Sequence, residues 1–298
     1  MILACLNSFT CTEKYVNNFD LHNHTIASDG LLSSQALIAL AAKNGCDAIG
    51  LTDHDTTAGL ETARKAASSL NLRFIAGVEI SVSWAANTDA KSTTLHIVGL
   101  GIDEQNPILA AGLASIRDGR VARAKLIGDD LARIGMPGMF AAAYALAENK
   151  SMIGRTHFAR ALVAHGVATE VGKVFNRYLT PGRPGFVPHQ WAPLADAIAW
   201  INAAGGVAVV AHPGRYKLQK VVMSQLLAEF KDLGGRSIEV MTGSHSPPQF
   251  KEYAVRAKEF GFLASRGADY HGPGESHYEP GRVPLLPEDL TPVWSVLG

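Results

Sequence analysis

A chain of 298 residues with 47% hydrophobic content suffices for one large domain, or for one domain carrying an insertion. Lys+Arg and Asp+Glu balance at 27 each, which excludes a global field drawing long nucleic acid or an anionic membrane. The three cysteines, Cys5, Cys11 and Cys46, contain no C-x-x-C and form no even framework, so a reducing cytoplasm is the expected compartment.

The opening "MILACLNSFTC" is apolar but short and lacks a preceding basic residue, so residues 1–18 read as a tail rather than a targeting segment. "NNFDLHN" predicts a first strand, and "LLSSQALIALAAKNG" a helix stopped by Gly45. "CDAIGLT" reads as a strand and "AGLETARKAASSLN" as a helix; "LRFIAGVEISV" and "LHIVGLG" follow as buried-type strands. From Asn106 to about Pro188 no strand pattern occurs, only helical stretches such as "MFAAAYALAENK" and "RTHFARALVAHG". Beyond it, "GGVAVVAH", "RSIEVMT" and "GFLASRGAD" read as strands separated by helices near 193–204, 221–234 and 247–260. Ser246-Pro247-Pro248-Gln249 starts the last helix with a capping-box pattern and Pro at its first position. About seven strands alternating with helices predict an α/β fold, a parallel sheet or barrel, interrupted by an all-helical insertion. The expected division is a barrel from 19–105 and 189–298, with 106–188 inserted.

In parallel α/β barrels the loops after the strands converge on one face. The first strand runs into His22, His24 and Asp29, and the second into Asp53, His54 and Asp55. Glu79 lies in the third strand, and His96 opens the fourth run. His212 and then Asp269 with His271 close two of the last strands. Imidazole and carboxylate are the donors that zinc, manganese and iron take, and more gather here than one ion could use. Residues spaced i, i+2 on a strand point the same way, so His22 and His24 can chelate one ion, as can Asp269 and His271. Glu79 is suited to bridge two ions. Any one of these histidines alone would pass for a core or surface residue; nine such donors on one predicted face point to metal.

These residues resemble the polymerase-and-histidinol-phosphatase (PHP) family of metal-dependent phosphoesterases. "DLHNHTIASDG" is similar to its first motif, "TDHDT" to its second, "GVEIS" and "HIVGLG" to its middle ligands, and "AHPG" and "GADYH" to its last two. The resemblance implies a distorted seven-stranded (β/α) barrel with up to three divalent ions at its mouth. Manganese is the expected ion, with zinc or iron as alternatives. It also implies a division of ligands: His22, His24, Glu79 and Asp269 on one ion, Glu79, His96 and His212 on a second, and Asp29, His54 and His271 on a third. Some relatives carry histidine where this chain has Asp29.

Chain length and insertion resemble the small bacterial branch that includes 3′,5′-nucleoside bisphosphate phosphatases, a branch whose members in some cases trim short RNA 5′ ends. The segments "GRTHFARAL" and "FNRYLTPGRPGFVP" resemble that branch's cap, the first commonly reading G-R-P-H where Thr156 stands here. The implied reaction is hydrolysis of the 3′-phosphate of a nucleoside 3′,5′-bisphosphate. A hydroxide bridging the ions is the expected attacking group, and no protein nucleophile is expected. Arg155, His157, Arg183 and Arg215 are the candidates for the second phosphate. Asp53 and Asp55 are expected to orient His54, and Phe175, Tyr178 or Trp191 to stack a base. His165, His189, His245 and His277 lack motif support and read as structural or surface residues. The rival readings are a 5′→3′ exoribonuclease on short RNA, a histidinol-phosphate phosphatase and a non-catalytic metal-binding module. The expected partner is a small nucleotide, not a membrane or a long duplex.

Overall fold

The computed structural model describes residues 18–298, so Cys5, Cys11 and the expected tail (Asn18 apart) lie outside the described residues. Seven strands form one sheet in the order β1 (Phe19–Asp20), β2 (Ala48–Leu51), β3 (Arg73–Trp84), β4 (Thr93–Leu100), β6 (Val207–Val210), β7 (Ser237–Thr242), β8 (Leu263–Gly267). A two-residue strand β5 (Ala192–Pro193) adds to β3. The chain returns to its start: Leu21 N donates to Arg266 O at 2.9 Å and Asp269 N to His22 O at 2.8 Å, which nearly closes a barrel. Buried Arg266 and Asp20 reinforce this seam. Arg266 binds the carbonyls of Phe19 and Val283, and Asp20 accepts from Ala268 N at 2.9 Å and Gly281 N at 2.7 Å.

The sheet departs from the all-parallel expectation at one strand. β4 pairs antiparallel with both β3 and β6. Only residues 85–92 join β3 to β4, too few for the crossover that a parallel pairing needs, so the chain turns back as a hairpin.

Side-chain alternation divides the strands between two apolar layers. Ile75, Val98, Leu100, Val207 and Val209 fill the barrel interior, which Val293 and Leu297 close at one end. Val78, Ile80, Leu95, Ile97, Val210 and Ile238 face outward under the helices. These helices are α1 (Ser34–Lys43), α2 (Leu60–Ser69), α8 (Leu194–Ala203), α9 (Lys220–Asp232) and α10 (Pro247–Phe260). Ser33 caps α1 through its side chain, and Gln249 Oε1 accepts from Ser246 N at 2.8 Å at the start of α10.

Between β4 and β5 the described chain holds helices but no strand: α3 (Pro107–Asp118), α4 (Arg120–Arg133), α5 (Met139–Leu146), α6 (Arg155–Ala164) and α7 (Val171–Val174), continued by a π-helical turn Phe175–Leu179. The helical run from 107 to 133 divides at Gly119 into α3 and α4. Leu109, Leu113 and Ile116 of α3 join the outer layer of the barrel. From α4 onward the helices carry their own core around Ile127, Leu131, Phe158, Leu162 and Leu179. No helix among the described residues is long and apolar enough to cross a membrane.

Candidate metal centre

The nine residues with metal-ligand character meet at one mouth. His22 and His24 follow β1, His54 follows β2, His212 follows β6, and Asp269 and His271 follow β8. Glu79 shares the inward parity of Ile75 on β3. His96 shares the parity of Val98 on β4, and because β4 runs backwards its early residues, not its last, reach the mouth. Among the described residues, three of the four non-glycine residues with positive φ also lie here: Asp55 (45°), His212 (29°) and Asp269 (52°). Such backbone costs roughly 1–3 kcal/mol per residue and persists only where its surroundings over-determine it.

The spacings suit shared cations. Ligand atoms bound about 2.1 Å from one ion stand roughly 3.0–3.4 Å apart at octahedral or tetrahedral angles. His24 Nε2 lies 3.4 Å from both Glu79 Oε2 and Asp269 Oδ1, and His22 Nε2 lies 3.4 Å from Glu79 Oε1. Glu79 Oε1 also meets His96 Nδ1 and His212 Nε2, each at 3.0 Å. Asp29 Oδ1 lies 3.9 Å from His54 Nε2 and 3.5 Å from His271 Nε2, and His24 joins that cluster. The decisive observation is what these atoms lack. Asp29 Oδ1 and Asp269 Oδ1 are buried without a hydrogen-bond partner, and Glu79 Oε2 has His54 Nδ1 2.8 Å away. A buried lone pair left unmet costs about 1–3 kcal/mol, so such oxygens at one mouth are ill-suited to anything but cations. The donor set therefore fits two or three divalent ions.

The protonation states follow from the same crowding. Burial disfavours charge on His22, but Glu239, Glu79 and Asp269 outweigh it and hold the imidazole well above its ordinary range. Burial and the neighbouring His271 push His24 down to about 3, and burial with Arg215 does the same to His212. Against burial, His54 and His96 hold Glu79 well below the usual carboxylate range.

Neighbouring carboxylates orient the centre. Asp53 accepts from Thr25 N at 2.7 Å and Ser28 Oγ at 2.5 Å, fixing the loop that carries Asp29. Asp55 accepts from Ser81 N at 2.7 Å and pairs with buried Arg120. Glu239 on β7, absent from the sequence reading, accepts from His22 Nδ1 at 2.7 Å and His212 N at 2.5 Å. Its signal was present: an acidic residue inside the apolar run "RSIEVMT" needs a buried partner.

A cavity of about 430 Å³ opens over the centre, between the barrel mouth and the helical segment. Arg155, Arg215, Phe175 and Trp191 line it; Tyr178 and Arg183 do not, and Arg183 is exposed at the surface. His157 is buried beside the cavity, where its Nδ1 accepts from Gly154 N at 3.2 Å as a cap of α6. Two arginines that the sequence reading missed, Arg120 and Arg123, also line the cavity and lie over the Trp191 ring. His277, expected to be a structural or surface residue, also lines the cavity. The guanidiniums crowd one another: burial and the guanidiniums of Arg155 and Arg120 lower Arg123 to about 9, and burial with Arg215 and Arg120 lowers Arg155 to about 10, while Arg120 is paired with Asp55 and Arg215 with Asp269 at 3.2 Å. A cavity floored by cation ligands and walled by guanidiniums is built for an anion with more than one charged group.

Comparison with known proteins gives concordant matches. The family described as PHP domain matches residues 20–110. A 3′,5′-nucleoside bisphosphate phosphatase of Chromobacterium violaceum is 46% identical over 94% of this chain and 96% of its own length. The 5′-3′ exoribonuclease Rnm of Salmonella typhimurium is 40% identical over 94% of both chains. A solved structure of an amidohydrolase from Chromobacterium violaceum, with bound sulfate and no metal, superposes with TM-score 0.89 at 46% identity, covering 94% of this chain and 95% of the other.

Proposed function

The chain belongs to the PHP family, and from that premise we propose that it is a metal-dependent phosphatase removing the 3′-phosphate of nucleoside 3′,5′-bisphosphates. The observation that carries this reading is the pairing of two anion-seeking regions in one cavity, the imidazole and carboxylate mouth and the guanidinium wall. The products would be a nucleoside 5′-monophosphate and orthophosphate.

Two or three divalent ions, manganese foremost, would neutralise phosphoryl oxygens and bring bound water toward ionisation at neutral pH. His22, His24, Glu79 and Asp269 would hold one, Glu79, His96 and His212 a second, and Asp29, His54 and His271 a third. With Nε2 taken by an ion and the proton there displaced, Glu239 would hold the remaining His22 proton on Nδ1. Asp53 and Asp55 hold the loops bearing Asp29 and His54. Arg155 and Arg215, with Arg120 and Arg123, would bind the phosphate that is not cleaved. Phe175 or Trp191 offers a ring face to the base. His157 and Arg183, which do not line the cavity, are proposed to support helix α6 and the surface rather than the substrate. We take 106–188 as a cap on a barrel of 19–105 and 189–298, and the cytoplasm as the compartment.

The similarity to an exoribonuclease favours a second reading, stepwise trimming of short 5′-phosphorylated RNA at the same site. The balanced charge favours the small substrate, because long polyanions call for an extended basic track. Manganese-loaded protein should release phosphate from adenosine 3′,5′-bisphosphate, and the His22→Ala variant should not. Equal turnover in that variant would remove the basis of the metal assignment.

A further inference from the structure

We propose that the helical segment assembles the third ligand cluster, Asp29, His54 and His271, and that Thr156 is the positioning residue that fixes Asp29 in it. The proposal rests on the metal-dependent reading above and concerns what sets the affinity of one ion.

The three clusters are supported differently. Glu79 and His96 sit within paired strands, and Glu239 braces His22 and His212 from inside the barrel. Asp29 and His271 lie on separate loops beyond the strand ends, and the loop of His54 is tied to β3 only by a single bridge to Glu79; the three side chains keep 12–19% exposure. Loops hold geometry less tightly than paired strands. Each of these loops is held by side chains from the helical segment. Thr156 Oγ1 donates to Asp29 Oδ2 at 2.8 Å, and Asn149 Nδ2 donates to Ala27 O at 3.1 Å. Arg117 donates to the Asp55 carbonyl at 2.7 Å, and Arg120 pairs with the Asp55 carboxylate, next to His54. Arg160 binds both oxygens of Glu275, four residues beyond His271, at 2.8 and 2.7 Å.

Thr156 is placed to decide which Asp29 oxygen meets the ion. With Oδ2 engaged by the hydroxyl, Oδ1 is left buried and unpartnered, turned toward His54 and His271. A carboxylate held this way offers one oxygen in a fixed direction. Valine at 156 keeps the shape and removes the donor; serine keeps the donor.

The test is calorimetric titration of the metal-free full chain with Mn²⁺, comparing wild type with Thr156→Val, Thr156→Ser and Arg160→Met. Wild type should bind three ions. Thr156→Val should leave two affinities unchanged and weaken the third about ten- to a hundred-fold, the usual effect of removing an outer partner of a ligand. Thr156→Ser should restore it. Arg160→Met, which cuts a latch without touching Asp29, should weaken the same ion. Three affinities equal to wild type in Thr156→Val, saturation of wild type at two ions, or a loss spread evenly over all three would overturn the proposal. Binding of no ion would instead overturn the metal-dependent reading itself.

Discussion

Glu239 ties together two histidines that reach the mouth from different strands: its Oε1 accepts from His22 Nδ1 at 2.7 Å and its Oε2 from the backbone N of His212 at 2.5 Å. The first contact sets the His22 tautomer, and the second restrains a backbone held at φ 29°. Glu239→Gln replaces one acceptor oxygen with an NH₂ group, so one of the two contacts must fail. Metal affinity should fall roughly ten- to a hundred-fold while the far-UV circular dichroism stays that of the folded protein. Unchanged affinity would show that Glu239 does not set either ligand.

Arg155 lines the cavity at the start of α6 and spends one bond on the Leu179 carbonyl at 3.3 Å. If it binds the uncleaved phosphate, Arg155→Met should raise KM for adenosine 3′,5′-bisphosphate far more than for adenosine 3′-monophosphate. A charge-assisted hydrogen bond is worth about 1.5–3 kcal/mol, which corresponds to a KM ratio of roughly 10–150. Steady-state kinetics on both substrates give that ratio, and equal losses would assign Arg155 a structural role.

The buried, partnerless donors at the mouth predict that cations stabilise the fold as well as serve catalysis. Chelation should lower the melting temperature and abolish turnover, and Mn²⁺ should restore both. At a free concentration a hundred times Kd, one bound ion adds about 2.7 kcal/mol. Differential scanning fluorimetry with a metal titration measures the shift; a melting temperature indifferent to metal would contradict the fit.

The donor-rich turns were legible in the sequence because their chemistry departs from what a turn requires. "HNH" and "GADYH" have no structural need for imidazole, and strand-end placement put them on one face. Glu239 escaped notice because a single acid in an apolar strand shows no partner in sequence; its partners lie 217 and 27 residues away. Arg120 and Arg123 belong to no motif in the sequence, and only the docking of α4 against Trp191 turns them into the cavity. The reversal of β4 was available in principle: eight residues cannot carry a crossover. Counting strands without measuring their connections hides it.

Phe158 is fully buried in the core of the helical segment, apart from the barrel layers. Phe158→Ala should cost about 3–5 kcal/mol. Hydrogen exchange should then accelerate in 124–179 before the barrel strands loosen. Uniform acceleration would mean that the two cores unfold as one unit.

The central claim concerns which phosphate leaves. Adenosine 3′,5′-bisphosphate incubated with the Mn²⁺-loaded protein and followed by ³¹P NMR separates the outcomes directly. The account predicts loss of the 3′-phosphate resonance and growth of orthophosphate with adenosine 5′-monophosphate. Accumulation of adenosine 3′-monophosphate, or an unchanged spectrum with the ions bound, would contradict it.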